Sequence, residues 1–339
     1  MKKLTFFDKI VFFINSIFSV ALLLAYLLPY IPPKTSAFLS LLSLGVPFLI
    51  VVNLLFLMYW VIRLKKQALL PLIVLLIGLH HFFSLFNFSS KTDSGSAGDE
   101  FRIMSYNVRS FNRYEWLPEK NVHQKIQDFI KNASPDILSV QDYYKTDSIS
   151  IDYPYSYVHT QNQNSVLGQA IFSKYPIINR GSLDFPNTFN NAIYADIILG
   201  KDTIRIFNLH LESLKIVPEK ILKEEVNERL IKRVGHSFEM QQEQMEMLLK
   251  VVKKSPYKNI ICADMNNSAF SYVYRQLEEN GFKDAFKEAG NGFGKTFDFD
   301  FIPLRIDMIF VEASIQVVDF KNYDLKLSDH YPIMTKVEL

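Results

Sequence analysis

Three stretches without a charged residue, 10–33, 35–62 and 68–86, open the chain; beyond residue 100 the apolar runs become short and alternate with polar turns. Each opening stretch reaches the ~20 residues that a helix needs to cross the hydrocarbon core of a bilayer. The first lacks a small-residue cleavage site and is followed by two more, which separates it from a signal peptide. Three transmembrane helices over residues 1–88 are the expectation. Residues 89–100 (SSKTDSGSAGDE), without large apolar groups, read as a flexible linker.

Residues 101–339 read as one domain of alternating strands and helices. Strands are expected at 102–108, 136–141, 169–173, 191–199, 203–209, 259–263, 305–311, 315–320 and 331–337. Helical spacing links Val122, Ile126, Phe129 and Ile130, then Met245, Leu248, Leu249 and Val252. Phe270, Val273, Tyr274 and Leu277 repeat it, with Ser268 as the expected N-cap. The result is a mixed α/β domain with two sheets.

Composition narrows the classes. The chain is 49% hydrophobic and 21% charged, which excludes a disordered or collagen-like protein. A single cysteine, Cys262, excludes a disulfide framework and a multi-cysteine metal site. The formal charge of +2 is uneven. Residues 1–86 carry seven Lys/Arg against Asp8 alone, so the domain beyond them is net acidic, which argues against binding nucleic acid by charge. Lys2, Lys3 and Lys9 precede the first stretch, and Arg63, Lys65 and Lys66 separate the second from the third. Basic loops stay cytoplasmic, so three spans place the domain on the extracytoplasmic side of an inner or cytoplasmic membrane. His80 and His81, among Phe82, Phe83 and Phe86, read as part of an interfacial aromatic belt.

Chemistry-bearing residues gather where apolar strands stop. Asn107, Gln141-Asp142, His210, Asp264-Met265-Asn266 and Asp329-His330 all fall there. Asp307 sits among Ile306, Met308 and Ile309, where a carboxylate is costly to bury without a partner such as His330.

The strings MSYNV, PDILSVQD, AIFSKYPI, NLHLES, CADMNNS, RIDMIF and LSDHYP occur in the order of the endonuclease/exonuclease/phosphatase superfamily, which this chain resembles over residues 101–339. That superfamily includes pancreatic deoxyribonuclease-like nucleases, abasic-site endonucleases, inositol-polyphosphate 5-phosphatases and bacterial sphingomyelinases. The resemblance implies a four-layer αββα sandwich of two packed sheets, with the site at one edge. It implies Mg²⁺ or Mn²⁺ held by Asp142, where the family usually has Glu, with Asn107 and Asp329 nearby. It further implies that Asp264 orients or deprotonates the attacking water and that Asn266 binds a phosphate oxygen. His330 would contact the scissile phosphate with Asp307 orienting it, and His210 would act as general acid. Ala263 stands where the family commonly has Gly.

The chemistry suits such a set. A phosphate ester repels nucleophiles, so a hard cation must offset charge, and a histidine held by a carboxylate keeps one tautomer. The expected function is a membrane-anchored phosphoester hydrolase acting by direct water attack on a phosphodiester or phosphomonoester. Its substrate would be a lipid head group, a small phosphoester or nucleic acid. An extracytoplasmic nuclease and an inactive phosphate-binding membrane scaffold are the alternatives.

Three other features draw notice. Residues 290–294 (GNGFG) lack the Lys-Ser/Thr of a P-loop and read as a flexible turn. Residues 218–234 form a charged amphipathic insertion, either a surface helix packed on the core or a lid or bilayer-facing element. Tyr143, Tyr144, Tyr153, Tyr155 and Tyr157 form an aromatic-rich segment that serves packing or base stacking.

Overall fold

The computed structural model describes residues 4–88, 100–162, 164–215, 228–299 and 302–339. The expected linker at 89–99 and the insertion up to residue 227 lie outside the described residues. The N-terminal segment comprises α1 (Phe6–Ala25), α2 (Ala37–Leu42), α3 (Val46–Ile62), α4 (Leu69–Ile77) and α5 (Leu79–Phe82). Two helical stretches are long and apolar enough to cross a membrane, Phe6–Tyr30 and Ala37–Ile62. The third expected span is a shorter apolar helix, Lys66–Ile77. At 1.5 Å per residue it covers ~18 Å, well under the ~30 Å core. Gly78 follows it, and only glycine fits there, because a Cβ would lie 1.9 Å from the Tyr26 hydroxyl.

Buried polar groups fasten α1 to α3. Asn15 donates to Ser19, Ser19 donates to Asn53 at 2.9 Å, and Trp60 Nε1 donates to Asn15 Oδ1 at 2.9 Å. At the N-terminal end Arg63 pairs with Asp8 at 3.0 Å. At the opposite end Tyr26 meets Val74 and stacks on His81. The α/β domain is mounted on this second end.

That domain begins with β1 (Phe86–Phe88) and β2 (Glu100–Asn107), followed by α6 (Val122–Ala133), β3 (Ile137–Tyr144), β4 (Tyr155–Thr160) and β5 (Leu167–Ser173). Next come β6 (Ile177–Ser182), β7 (Ala192–Leu199), β8 (Asp202–His210), α7 (Glu228–Val252), β9 (Lys258–Asp264) and α8 (Tyr272–Glu279). The chain closes with β10 (Phe282–Asp284), α9 (Ala285–Ala289), β11 (Asn291–Phe293), β12 (Phe297–Phe299), β13 (Ile302–Leu304), β14 (Asp307–Glu312), β15 (Gln316–Asn322) and β16 (Ile333–Glu338). Ser271 rather than Ser268 caps α8, accepting from Tyr274 N.

One six-stranded sheet has the order β15-β16-β2-β3-β5-β4 and the other β10-β14-β9-β8-β7-β6. Pairs β2–β3 and β8–β9 are parallel, so both lead out toward the same edge. Alternation sorts the faces: Ile103, Ile137, Ile206, Ile260 and Ile309 fill the space between sheets. Met104, Tyr106 and Leu138 instead turn outward to Val122, Ile126 and Ile130 of α6. Phe207, Ile261 and Phe310 turn to Met245 and Leu248 of α7 and Leu277 of α8. The architecture is therefore the αββα sandwich. Cys262 lies within it, its thiol pushed up to about 12 by burial and so chemically inert.

A polar clasp joins the sheets beneath the site. Asn208 of β8 donates to Val140 O at 2.7 Å and Ala170 O at 3.0 Å, and accepts from Gln141 Nε2 at 2.8 Å. Asn208→Leu strips these partners while keeping the volume. It should cost about 2–3 kcal/mol, roughly 5–10 °C in melting temperature for a domain this size. Thermal unfolding by circular dichroism tests this, and an unchanged midpoint would make the clasp dispensable.

The N-terminal helical segment grips the domain at several points. β1 pairs with β11, so the expected flexible turn at 290–294 instead contains a docking strand. Asn87 donates to Phe286 O and Lys287 O, Lys34 N donates to Gln242 of α7, and Arg275 of α8 lies 3.3 Å from the Tyr30 ring centre. Buried Arg305 joins Ser84 O at 3.0 Å to Asp284 at 2.6 Å.

Candidate active site

Strand register alone aligns the first residues. His210 pairs with Asp264 across β8–β9, and Asp264 pairs with Asp307 across β9–β14. Three chemistry-bearing side chains thus leave adjacent strands at one edge. Asn107 and Asp142 leave β2 and β3 of the facing sheet at the same edge.

Asp264 is the hub. It is fully buried and accepts from Asn107 Nδ2 at 2.8 Å and from Asn266 N at 3.0 Å. His210 Nε2 stands 3.4 Å and His330 Nε2 3.7 Å from its Oδ2. His210 Nδ1 in turn lies 3.5 Å from Asp142, whose carboxylate is half exposed. A bulge in β3 puts Asp142 at φ +49° and turns it out of the strand.

Asp307 and His330 form a buried pair, with His330 Nδ1 2.9 Å from Asp307. Thr296 Oγ1 accepts from Asp307 N at 2.9 Å and fixes the backbone there. Burial pushes the Asp307 carboxyl up to about 6, leaving it ionised at neutral pH. Burial opposes the charge on His330, but Asp307 and Asp264 outweigh it and hold the imidazolium up to about 10. The two carboxylates thus favour the protonated imidazole, and its Nε2 faces the Asp264 side.

Two expected side chains point away from this hub. The Asn266 amide donates to Leu211 O at 2.9 Å, tying together the two strand exits. The Asp329 carboxylate pairs with Arg109 at 2.9 Å. Arg109 was not singled out by the sequence reading, nor was Gln241, whose amide donates to Glu212 O at 2.7 Å and accepts from Asn267. Gln241 lies in α7 beside Gln242, the acceptor for the membrane segment. Residues 109–112 run through four successive positive φ angles without a glycine, so no compositional signal announces them. Arg109 also covers the Trp116 ring at 3.9 Å.

Asp264, Asp307 and His330 bring ligand-type atoms within 4.8 Å of one another. Carboxylate and amide oxygens on Asn107, Asp142 and Asp264 are hard donors suited to Mg²⁺ or Mn²⁺. The arrangement offers a buried carboxylate for water, a fixed cation for an anionic group and a second histidine at the mouth.

Solved structures share this fold. Residues 8–85 match a domain of unknown function. A Bacteroides vulgatus endonuclease/exonuclease/phosphatase structure matches 71% of this chain and 99% of its own at 19% identity and TM-score 0.55. A humanized D. rerio TDP2 covers 71% and 99% at 14% identity and TM-score 0.54. A Bacteroides thetaiotaomicron mannosyl-6-phosphatase covers 70% and 100% at 16% identity and TM-score 0.53. At such identities the likeness shows the fold alone. Comparison with curated proteins gave no match. Residues 104–330, two-thirds of the chain and every site residue described above, match the profile of one family, and the chain belongs to the Endonuclease/Exonuclease/phosphatase family.

Proposed function

We propose that this chain is a membrane-anchored, Mg²⁺- or Mn²⁺-dependent hydrolase of phosphate esters, its catalytic domain on the extracytoplasmic side. The observation that carries the reading is the convergence of Asn107, His210 and His330 on the buried Asp264 carboxylate. A buried carboxylate ringed by donors and backed by a histidine cation suits hydrolysis of an anionic ester better than phosphate binding alone.

In this reading Asp264 holds the water and takes its proton as the oxygen attacks phosphorus. His330, kept charged and oriented by Asp307, donates from Nε2 to a non-bridging phosphate oxygen. His210 supplies a proton to the departing oxygen as the ester bond breaks, with Asp142 bearing on its other nitrogen. Asn107 and Asp142 would hold the metal, with Asp329 beside them. Asp142 is one methylene shorter than the family's usual Glu, which reduces its reach. Bound there, the ion would offset charge on the phosphate in the transition state.

The test is turnover of phosphomonoesters, phospholipid vesicles and DNA by the purified full chain. A chelator should abolish activity more than tenfold and added Mg²⁺ restore it. Inertness toward every class in the presence of Mg²⁺ would leave the scaffold alternative standing.

Orientation rests on charge. Lys9, Arg63, Lys65 and Lys66 lie at the Asp8 end of the bundle and the domain at the other, which supports an outer placement. The short third helix does not weaken this, since α4 packs back along α1 from Lys66 toward Tyr26. A phosphatase fused after Leu339 should be active outside the cytoplasm, and a cytoplasmic signal would reverse the placement.

A further inference from the structure

The inward stripe of α7 is apolar at Phe238, Met245, Leu248 and Val252 and is broken by Gln241. Met245 and Leu248 cover Phe207 of β8 and Ile261 of β9. The helix is the crossover between those two parallel strands and runs back against them. Gln241, one turn before Met245 on the same face, therefore lies level with the strand exits that carry His210 and Asp264. Its side chain is fully buried, and a buried amide in an apolar stripe requires partners.

Those partners belong to both exits. Gln241 Nε2 donates to Glu212 O at 2.7 Å, two residues past His210. It also reaches Met265 O and Asn266 O, each at 3.4 Å, just past Asp264. Its Oε1 accepts from Asn267 Nδ2 at 2.7 Å, which fixes the way the amide faces. The exits are further laced by Leu211 N, which donates to Asp264 O, and by Asn266 Nδ2, which donates to Leu211 O.

One of these contacts acts directly on the hub. Met265 O and Asn266 N belong to the same peptide group, and Asn266 N donates to Asp264 Oδ1 at 3.0 Å. A peptide group is planar and trans, so holding its oxygen sets the direction of its N–H. Asn266 sits at φ +45°, a left-handed turn that costs energy in any residue with a side chain. Without a donor on Met265 O and Asn266 O, that turn can relax and swing the N–H off the carboxylate. His210 Nε2 stands 3.4 Å from the other oxygen of Asp264, and its own exit is held at Glu212 O by the same amide.

We propose that Gln241 is a positioning residue for the Asp264 centre. Its amide fastens the exits of β8 and β9 to one point, keeps Asn266 N–H on Asp264 Oδ1, and so aims that carboxylate with His210 opposite. Its part in turnover rests on the hydrolase reading; its hold on the turn does not. Gln241 lies behind the hub, away from the open edge, so its loss should be felt in kcat rather than KM. Gln242, the next residue and also buried, turns instead to the N-terminal segment, accepting from Lys34 N at 3.0 Å. It provides the control.

The full chain in detergent is assayed with Mg²⁺ on p-nitrophenyl phosphate, bis-p-nitrophenyl phosphate, phospholipid vesicles and DNA, and kinetics are taken on the fastest. Gln241→Met keeps the length and removes every hydrogen bond. It should lower kcat about 30-fold, less than the ~10²-fold that a 1 Å misplacement costs, with KM within about twofold. Asn267→Ala, which frees the Gln241 oxygen, should lower kcat about threefold and decides the matter if Gln241→Met does not fold. Gln242→Met should leave kcat unchanged. Hydrogen exchange at the Asn266 amide, followed in parallel, should quicken about tenfold in Gln241→Met and stay unchanged in Gln242→Met. Unchanged kcat in both Gln241→Met and Asn267→Ala overturns the positioning role and leaves the hydrolase standing. An equal fall in Gln241→Met and Gln242→Met assigns the effect to the helix as a whole and also overturns it. A chain inert toward all four probes, whose Asn266 exchange still quickens in Gln241→Met alone, sustains the hold on the turn and overturns the hydrolase. Inertness with unchanged exchange overturns both.

Discussion

Asp264→Asn should lower kcat about 10³-fold toward any phosphate ester the chain hydrolyses, the middle of the range for loss of a positioned general base. The size follows from how many groups meet at one carboxylate. Asn107 Nδ2 and Asn266 N both donate to it, and both histidines approach its Oδ2. An amide keeps the shape but can accept at only one atom, so one donor is left facing an NH₂, at a cost of about 1–2 kcal/mol in stability. KM should change less than kcat, because the lost interaction belongs to the transition state. Steady-state kinetics on the purified variant, with its melting curve alongside, check this. Retention of more than a tenth of wild-type kcat in a folded protein would remove Asp264 from the centre of the mechanism.

Arg305→Met carries the second large effect, and it concerns the mount rather than the chemistry. Arg305 is buried with Asp284, reaches Ser84 O, and packs over the Phe286 ring at 4.9 Å. Tyr274 OH donates to the same Asp284 oxygen at 2.8 Å. Methionine fills similar space but leaves Asp284 buried with its countercharge gone, which costs about 3–5 kcal/mol. The loss should appear as a fall in thermal midpoint of the full chain. It should also release the Ser84 end of the N-terminal helical segment, read as faster amide exchange around residues 84–88. Arg305→Met with Asp284→Leu removes both charges and should recover much of the stability, since an apolar replacement of a buried pair is often neutral. Failure of that double variant to recover would point to packing rather than charge.

Legibility in the sequence followed the physics of each element. Asp307 was readable because a carboxylate inside RIDMIF demands a partner, and His330 stands 2.9 Å away. The sheets were readable from alternating Ile and Val at strand spacing, although β4 and β6, lying at the sheet edges with more polar faces, were not. The site's lesser members were hidden by local backbone geometry. A bulge turns Asp142 outward, and the left-handed turn at 109–112 delivers Arg109 to Asp329 without glycine or proline. Asn208 carries no signal in its apolar strand and Gln141 reads only as a strand-end residue, because their partners lie in opposite sheets. Gly78 carries no signal in its apolar run, and only the Tyr26 ring against it shows why no larger side chain fits there.

The many-pointed grip between the N-terminal helices and the domain, from Lys34 on α7 to β1 on β11, has one more consequence. A catalytic head swinging on a string would sample a hemisphere of positions. With the N-terminal helices seated in a bilayer as proposed, a head bolted this way would keep a constant altitude and tilt over the lipid surface, and its reactive edge would patrol a thin shell that only entering phosphates reach.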